Sequence, residues 1–498
     1  MRKVLTSIFA LMAATAIHAA TYIVMVKNTH CQTVTGFGAA CCDGAMQPYG
    51  EDTQPVRLLY GAQSKIGLNI MRMEISPSFT GDNWGDYDWH GSMPSARIVK
   101  QRGGIVFGTP WSPPGEYKTN GKAQGGNTED ENAVRGELRT DCYEKFFPWL
   151  NTFLAYMRQN GVKVDAVSVQ NEPDWWVNYS GCLYTPQQQV TLVKNYAQLL
   201  DREKYKGVRL ISAEPLGFDP SYSNALLNDP VAREQVDIIA GHLYGHPPLG
   251  NMKSAAVLAE KYGKEVWMTE HSVSDALQDR LPNWTEQLEF ARELNECMLA
   301  GGTGYIYWYM RAHWAFVGTG ETKYGTDNKK NTLLPRAFVM SHFAKHVTGS
   351  TRLDTKNSFT VNTNSPIEAS AYIKGDSLIV MAINSTANDH TLRIKLPSYV
   401  KSGTHVLSTG NEKANLCQEL PIEMEEPMND IAANMPAQSV NTYIFMIDPS
   451  STAITDLTPT GEGSKTYYDL QGRRMDTPRG LCIEKSADGF TRKVYMGL

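Results

Sequence analysis

"VDAVSVQNEPDWW", Val164 to Trp176, opens as a strand made for a dry interior and closes on groups that a dry interior rejects. Valines and alanines lead into Gln170, Asn171 and Glu172, then into a proline, a carboxylate and two tryptophans. The apolar part reads as a strand buried on both faces, the condition of a parallel sheet covered by helices. The polar end has two readings. Either the glutamate caps the next helix or pairs with a surface arginine, or the strand end is a workplace. The second holds where parallel strands close into a barrel, because their C-terminal ends carry the chemistry.

Seven further stretches share that texture. Short apolar runs ending in polar or glycine-rich turns lie at Gly36–Ala40, Leu68–Ile75, Gly104–Thr109, Val208–Ala213, Ile238–Tyr244, Glu265–Glu270 and Tyr305–Tyr309, with Ala166–Asn171 fourth in order. Between them stand segments of helical period, among them Tyr143–Arg158, Pro186–Leu200, Ser254–Tyr262 and Trp284–Leu299. Eight strands alternating with helices predict an α/β protein of the (β/α)8 TIM-barrel class. A doubly wound open sheet is the competitor, but no G-x-G-x-x-G follows the first strand. From about Thr351 the pattern changes to alternating or β-branched runs, at Glu368–Ile373, Ser377–Ile383, Thr391–Leu396 and Thr442–Ile447, which predict an attached all-β domain. Ahead of the barrel, Tyr22–Val26 and Gln32–Val34 read as two short strands. Residues 450–466 have the composition of a linker.

The chain has 498 residues, enough for two or three domains or one large barrel with an appendage at roughly 150 residues per domain. A formal charge of −5 with no basic run excludes an electrostatic case for nucleic acid. The 24 Tyr and 10 Trp supply flat faces on which sugar rings stack. The start of the chain, basic and then apolar from Val4 to about Ile17 before His18-Ala19-Ala20, reads as a secretory signal too short to span a membrane. No later segment offers a span, so an exported, soluble protein is expected. Eight scattered cysteines are compatible with disulfides, and the absence of C-x-x-C argues against zinc.

Glu172 follows the fourth run and Glu270 ends the seventh, in "EVWMTEHS", so a barrel would point both into one cleft. Two facing carboxyls are the equipment of glycoside hydrolysis: one protonates the leaving oxygen, the other is ionised. At about 5–5.5 Å the second attacks the anomeric carbon itself and configuration is retained. Asn171 offers an amide for the sugar 2-hydroxyl, and Trp175 with Trp176 a sugar platform. Other run ends add Arg72, Trp111, His242, Tyr244, Trp308, Tyr309 and Arg311. Singly each reads as a satisfied core residue; together they describe a saccharide cleft. His242 and His246 sit in a Gly/Pro-rich loop rather than on a helix, which argues against a metal pair. The two-carboxylate reaction needs no cofactor. The polar loop Tyr117–Asn132 reads as a wall of the same cleft.

With these stretches in hand, the chain resembles glycoside hydrolase family 30, in particular its bacterial xylanase subfamily. The resemblance rests on "GFGAA", "SPPGEY", "SVQNEPD", "GHLYG", "VWMTE", "YIYWYMR", "SHFAKHV" and "MPAQSVNTY", in family order from Gly36 to about Ile447. It implies a barrel fused to a β-sandwich that also takes in the strands before the barrel. The division is then signal peptide 1–20, sandwich strands 21–35, barrel 36–349, sandwich 350–449, linker 450–466 and tail 467–498. The resemblance further implies retention, Glu172 as acid/base, Glu270 as nucleophile, and internal cleavage of β-1,4-xylan; a monomer is expected. In glucuronoxylan-specific members two consecutive arginines follow the eighth strand, and the second grips the glucuronate. Here Arg311-Ala312 stands there, followed by His313-Trp314, and the loop after Glu270 is shorter. A strict need for a glucuronic acid branch is therefore not expected. A β-1,6-glucanase, a glucosylceramidase-like or exo-acting enzyme, or a carbohydrate-binding protein that lacks the chemistry are the alternatives. The tail from Tyr467 resembles C-terminal sorting or surface-attachment segments of secreted proteins in Gram-negative bacteria, which implies a secreted, periplasmic or cell-surface location.

Overall fold

Short apolar strands and helices with one apolar stripe cannot be stable alone in water; closing the strands into a ring under a jacket of helices buries both. The computed structural model describes residues 20–42, 50–77, 89–244, 248–272, 282–311, 315–320, 329–360, 365–452, 466–469, 474–475, 480–485 and 491–496. One compact unit runs to Asp448 and a second spans Pro449–Leu498. After β1 (Thr21–Thr33) come eight parallel strands: β2 (Gly36–Cys41), β3 (Ile70–Ile75), β4 (Ile105–Pro110), β5 (Ala166–Ser168), β6 (Arg209–Ala213), β7 (Ile238–His242), β8 (Glu265–Glu270) and β9 (Gly304–Tyr307). They pair in order, and β9 closes on β2. These are the eight runs expected from the sequence, with ends displaced by a few residues.

The jacket consists of α1 (Gln54–Leu59), α2 (Met93–Gln101), α3 (Tyr143–Gln159), α4 (Pro186–Tyr196), α5 (Pro220–Asn228), α6 (Pro230–Gln235), α7 (Pro248–Lys261), α8 (Trp284–Leu299) and α9 (Pro335–Ala344). Thr185 with Gln188, and Asn283 with Glu286, close reciprocal capping boxes on α4 and α8, fixing where those helices begin. Inside the ring, Ile70, Phe107, Ala166, Ile211, Ile238, Ala240, Trp267 and Ile306 form a dry floor. Trp267 meets Phe107 edge-on at 5.5 Å. Gly304 makes room for it, since a Cβ there would lie 2.9 Å from the indole. The side chains above that floor face the barrel mouth.

The second layer of the same unit contains β10 (Thr351–Asn357), β11 (Ile367–Lys374), β12 (Ser377–Asn384), β13 (His390–Ser408), β14 (Gln418–Ile422), β15 (Met428–Met435) and β16 (Ser439–Ile447). β1 joins them, antiparallel to β10 and parallel to β13. The sequence suggested two short strands ahead of the barrel; they are one strand, with register breaks around His30. β13 serves two neighbourhoods: Thr391 to Lys395 pairs with β1 and β15, Gly403 to Leu407 with β14 and β16.

Period-two alternation explains how this layer attaches. Ile367, Ala369 and Ala371 face the sandwich core, as do Leu378, Val380 and Ala382, while Tyr372, Ile379, Met381 and Ile383 join the barrel's own core. Polar locks cross the same boundary. Glu368 accepts from Arg292 at 2.9 Å and from Asn295 at 3.1 Å, and His342 lies 2.8 Å from both Thr442 Oγ1 and Ser408 Oγ. Buried Cys142, Cys182 and Cys297 are thiols that pack as small hydrophobes.

The second unit holds an antiparallel sheet in the order β18 (Arg474–Met475), β17 (Thr466–Tyr468), β19 (Gly480–Lys485), β20 (Thr491–Met496). The expected signal, up to residue 19, and residues 453–465 of the expected linker lie outside the described residues. Among the described residues no helix is long and apolar enough to cross a membrane.

Candidate active site

Side-chain alternation carries Ile70 to the barrel floor and, two residues later, Arg72 to the mouth; Ala240 and His242 repeat this on β7. β8 needs a correction to that period. Trp267 faces inward and Met268 outward, so Glu270 would face the helices, but the β7–β8 register slips between Gly241/Met268 and His242/Glu270. One additional residue re-aims the carboxylate into the mouth, the use to which bulges beside active sites are put.

Glu172 and Glu214 stand just past the ends of β5 and β6. Both are non-glycine residues in the left-handed region, at φ 43° and 60°. Such conformations cost roughly 1–3 kcal/mol each and persist where the surroundings fix them. Backbone bonds do so here: Asn171 N–H donates to Pro110 O, Glu172 N–H to Glu214 O at 3.1 Å, Glu214 N–H to Ala240 O, and His242 N–H to Pro215 O.

Around this rim the charges interlock. Arg72, wholly buried, donates to Glu270 Oε2 at 2.5 Å and to Asn171 Oδ1 at 2.7 Å, lies 3.3 Å from Glu214 Oε1, and stacks 4.7 Å over the Trp111 ring. With Oδ1 engaged, the Asn171 amino group is the donor left for a ligand. Tyr244 donates to Glu270 Oε1 at 3.2 Å, so both nucleophile-candidate oxygens are held. His242 Nδ1 is 2.9 Å from Glu172 Oε1, while its Nε2 faces Glu214 at 3.9 Å, a charge contact rather than a hydrogen bond.

Burial pushes the Glu270 carboxyl up, and Glu172 adds to this; His242 and Arg72 oppose it. Burial alone would depress His242, but Glu270, Glu172 and Glu214 raise it to about 9. Glu214 runs the other way: burial would raise it, and Arg72 followed by His242 hold it down to about 2. Beside Glu172, burial lifts Asp174 to about 6. Burial, then Glu270, raise the Tyr244 phenol, as burial and both glutamates raise Tyr179 at the rim.

One oxygen each of Glu172 and Glu270 and one nitrogen of His242 lie within 4.8 Å of one another. That spacing could also hold a cation, but Arg72 already stands against Glu270 and the His242 ring against Glu172, so fixed positive charge and a proton occupy the role.

The other expected residues divide. Trp111 and Trp308 form a tilted pair at 5.8 Å over Ala40 and Cys42. Trp175 is 54% exposed, free to act as a platform, whereas Trp176 is committed: its Nε1 donates to Gly125 O and Arg135 lies over its ring. The loop after β4 is pinned to the Glu172 loop by buried Lys118, which donates to Ala123, Gln124 and Gly181 carbonyls. Tyr309 belongs to the barrel core. Arg311 forms a short ion pair with Asp52, whose carboxyl is held low against the effect of its own burial. His246, Ala312, His313, Trp314 and the loop after Ser272 lie outside the described residues. Glu214, Asp52, Tyr179 and Asp174 escaped sequence reasoning. Only Glu214 carried a signal, the repetition after β6 of the Glu-Pro pair that follows β5.

The model of O-Glycosyl hydrolase family 30 matches residues 59–235. The chain is 27% identical over 449 residues to glucuronoxylanase XynC of Bacillus subtilis strain 168, covering 86% of this chain and 93% of that protein. It is 22% identical over 414 residues to endo-1,6-beta-D-glucanase BGN16.3 of Trichoderma harzianum, covering 74% and 80%. Its fold superposes on the subfamily 8 xylanase Xyn30A of Clostridium acetobutylicum with TM-score 0.68 at 29% identity, over 86% of this chain and 99% of that one. With the closed barrel, its attached β layer and the paired carboxylates, these likenesses agree in direction: the chain is similar to the proteins of glycoside hydrolase family 30.

Proposed function

We propose that the protein is a retaining endo-β-1,4-xylanase in which Glu172 is the acid/base and Glu270 the nucleophile. The observation that carries this reading is the approach of the two carboxylates, oxygens within 4.8 Å, which suits direct attack and leaves no room for the intervening water of an inverting site, about 6.5–9.5 Å wide. In the first step Glu172 gives its proton to the glycosidic oxygen as a Glu270 oxygen bonds to the anomeric carbon and the bond to the leaving sugar breaks. In the second, Glu172 takes a proton from water, whose oxygen displaces Glu270. His242, on Glu172 Oε1, leaves Oε2 to carry the travelling proton. Arg72 and Tyr244 aim Glu270 and hold its charge.

Xylan as substrate draws on the Bacillus and Clostridium likenesses, and independence from a glucuronate branch on Ala312. An arginine–carboxylate contact is worth roughly 1.5–3 kcal/mol, and alanine offers none of it. The Trichoderma likeness favours one second reading, hydrolysis of β-1,6-glucan. Met1 to Ala20 reads as an export signal, so the enzyme would act outside the cytoplasm. The test is chromatography of products from linear xylan, glucuronoxylan and β-1,6-glucan, with NMR of the first-formed anomer. The reading expects xylo-oligosaccharides of retained configuration, lost in Glu270→Ala. Turnover of β-1,6-glucan alone, or an inverted anomer, overturns it, and a hundredfold preference for glucuronoxylan overturns the claim about the branch.

A further inference from the structure

Beside the two carboxylates that the reaction described above uses, the mouth of the barrel holds Glu214. Glu214 is wholly buried, strained at its own backbone, and has the Ser168 hydroxyl beside its carboxylate. A charge in that position is tolerated only if something nearby compensates it. Its neighbours are the two cations of the site, Arg72 at 3.3 Å and the His242 ring at 3.9 Å. Each of those cations also touches one working glutamate, Arg72 touching Glu270 and His242 touching Glu172. Glu214 therefore stands behind both halves of the reaction and touches neither.

Charge accounting shows what such a group does. Before the first step the acid must be protonated and the nucleophile ionised. With Arg72 positive, Glu270 and Glu214 negative and Glu172 neutral, the cluster balances when His242 is an imidazolium. That state also engages both His242 nitrogens, since Nδ1–H donates to Glu172 Oε1 and Nε2–H faces Glu214. If the ring held one proton only, Glu214 would draw it to Nε2, and bare Nδ1 would take the acid's proton from Glu172. The relevant quantity is therefore how tightly the His242 ring, in contact with Glu172, holds its second proton.

We propose that Glu214 is a positioning residue, the buried counter-anion that keeps the His242 ring beside Glu172 protonated on both nitrogens and shares Arg72 with the nucleophile, so setting the pH range in which the enzyme works. This rests on the assignment of Glu172 and Glu270 above. Other charges face His242 and Glu172: Asp174 and Glu270, with the phenols of Tyr179 and Tyr244 near Glu172. Among the described residues, Glu214 is the one carboxylate outside the two working glutamates in contact with both cations.

Two consequences share one sign. Removing the Glu214 charge makes the His242 ring lose its second proton at lower pH, which moves the alkaline limb of activity down. It also leaves Arg72 wholly to Glu270, which moves the acid limb down. A neighbouring charge at this distance is worth about 1–3 pH units.

The experiment compares wild type, Glu214→Gln and Glu214→Asp as full-length chains, measuring kcat/KM on a linear xylo-oligosaccharide from pH 4 to 10. In parallel, 15N NMR of histidine-labelled free enzyme reads the His242 ring. Expected are a whole bell displaced downward by about one unit or more in Glu214→Gln, a bell left in place though lowered in Glu214→Asp, and a wild-type His242 protonated on both nitrogens at pH 7. A bell merely reduced in height in Glu214→Gln, equal displacement in both variants, or a neutral wild-type ring overturns the proposal. The ring measurement needs neither a variant that folds nor any substrate. If wild type does not cleave xylan, the assignment above fails, whereas the ring result still tests Glu214.

Discussion

Replacing Arg72 by methionine is the sharpest perturbation the site offers. Methionine nearly fills the volume and removes the charge, so packing against Trp111 survives while Glu270 and Glu214 lose their common cation. Breaking a buried ion pair from one side costs about 3–5 kcal/mol, because a carboxylate is left uncompensated. The sign with pH follows. In wild type, Glu214 is held near 2, below its unfolded value, so it contributes stability above about pH 4.5 that is lost only as pH falls toward 2. In the variant Glu214 rises above the unfolded value and Glu270, already raised by burial, rises further, so stability falls as pH rises through that range. Urea unfolding of the two proteins should therefore differ by about 3–5 kcal/mol at pH 7.5 and by much less at pH 4. Loss of the groups that aim and charge the proposed nucleophile should also lower kcat by about 10²–10³, with an acid limb displaced upward. A stability difference below about 1 kcal/mol that is the same at both pH values would refute the claim that Arg72 compensates these charges.

Three further outcomes follow from described contacts. Tyr244→Phe removes one hydrogen bond to Glu270, which should cost about tenfold in kcat and leave the fold intact, checked by steady-state kinetics and circular dichroism. Glu368, between barrel and sandwich, is lifted to about 8 by burial and by Glu296 despite Arg292; the folded state binds its proton between about 4.5 and 8, so stability should decline across that window and Glu368→Gln should flatten the decline in urea titrations. His342, enclosed by Thr442 and Ser408, is driven by burial down to about 3, so the stability lost as pH falls from 6.5 toward 3 should shrink in His342→Gln.

The barrel was legible because parallel strands covered on both sides must be continuously apolar, and eight runs such as Ile238–His242 alternate with helical segments. The meeting of Glu172 with Glu270 followed from strand position alone. Glu214 was hidden because a single Glu-Pro pair has no chemistry until its neighbours are known, although its repetition after two strands was visible. The pairing of Arg311 with Asp52 was hidden because Asp52 sits in an unpatterned stretch before α1. The bulge that turns Glu270 inward leaves no mark in "EVWMTEHS", since it depends on the register of β7 against β8. The unity of β1 and the divided membership of β13 were illegible for the same reason: pairing partners are a tertiary property.

β1 also has a bearing on how the molecule is made. Ile23 bonds to Ser358, 335 positions later, and β10 and β13 both depend on the strand that carries it. During vectorial synthesis this first strand leaves the ribosome with no mate and stays an open edge while the entire barrel emerges. An unpaired edge invites pairing with other chains, so the interval before β10 and β13 arrive is when the nascent polypeptide is most exposed to misassembly. A version cut after the barrel would never leave that interval.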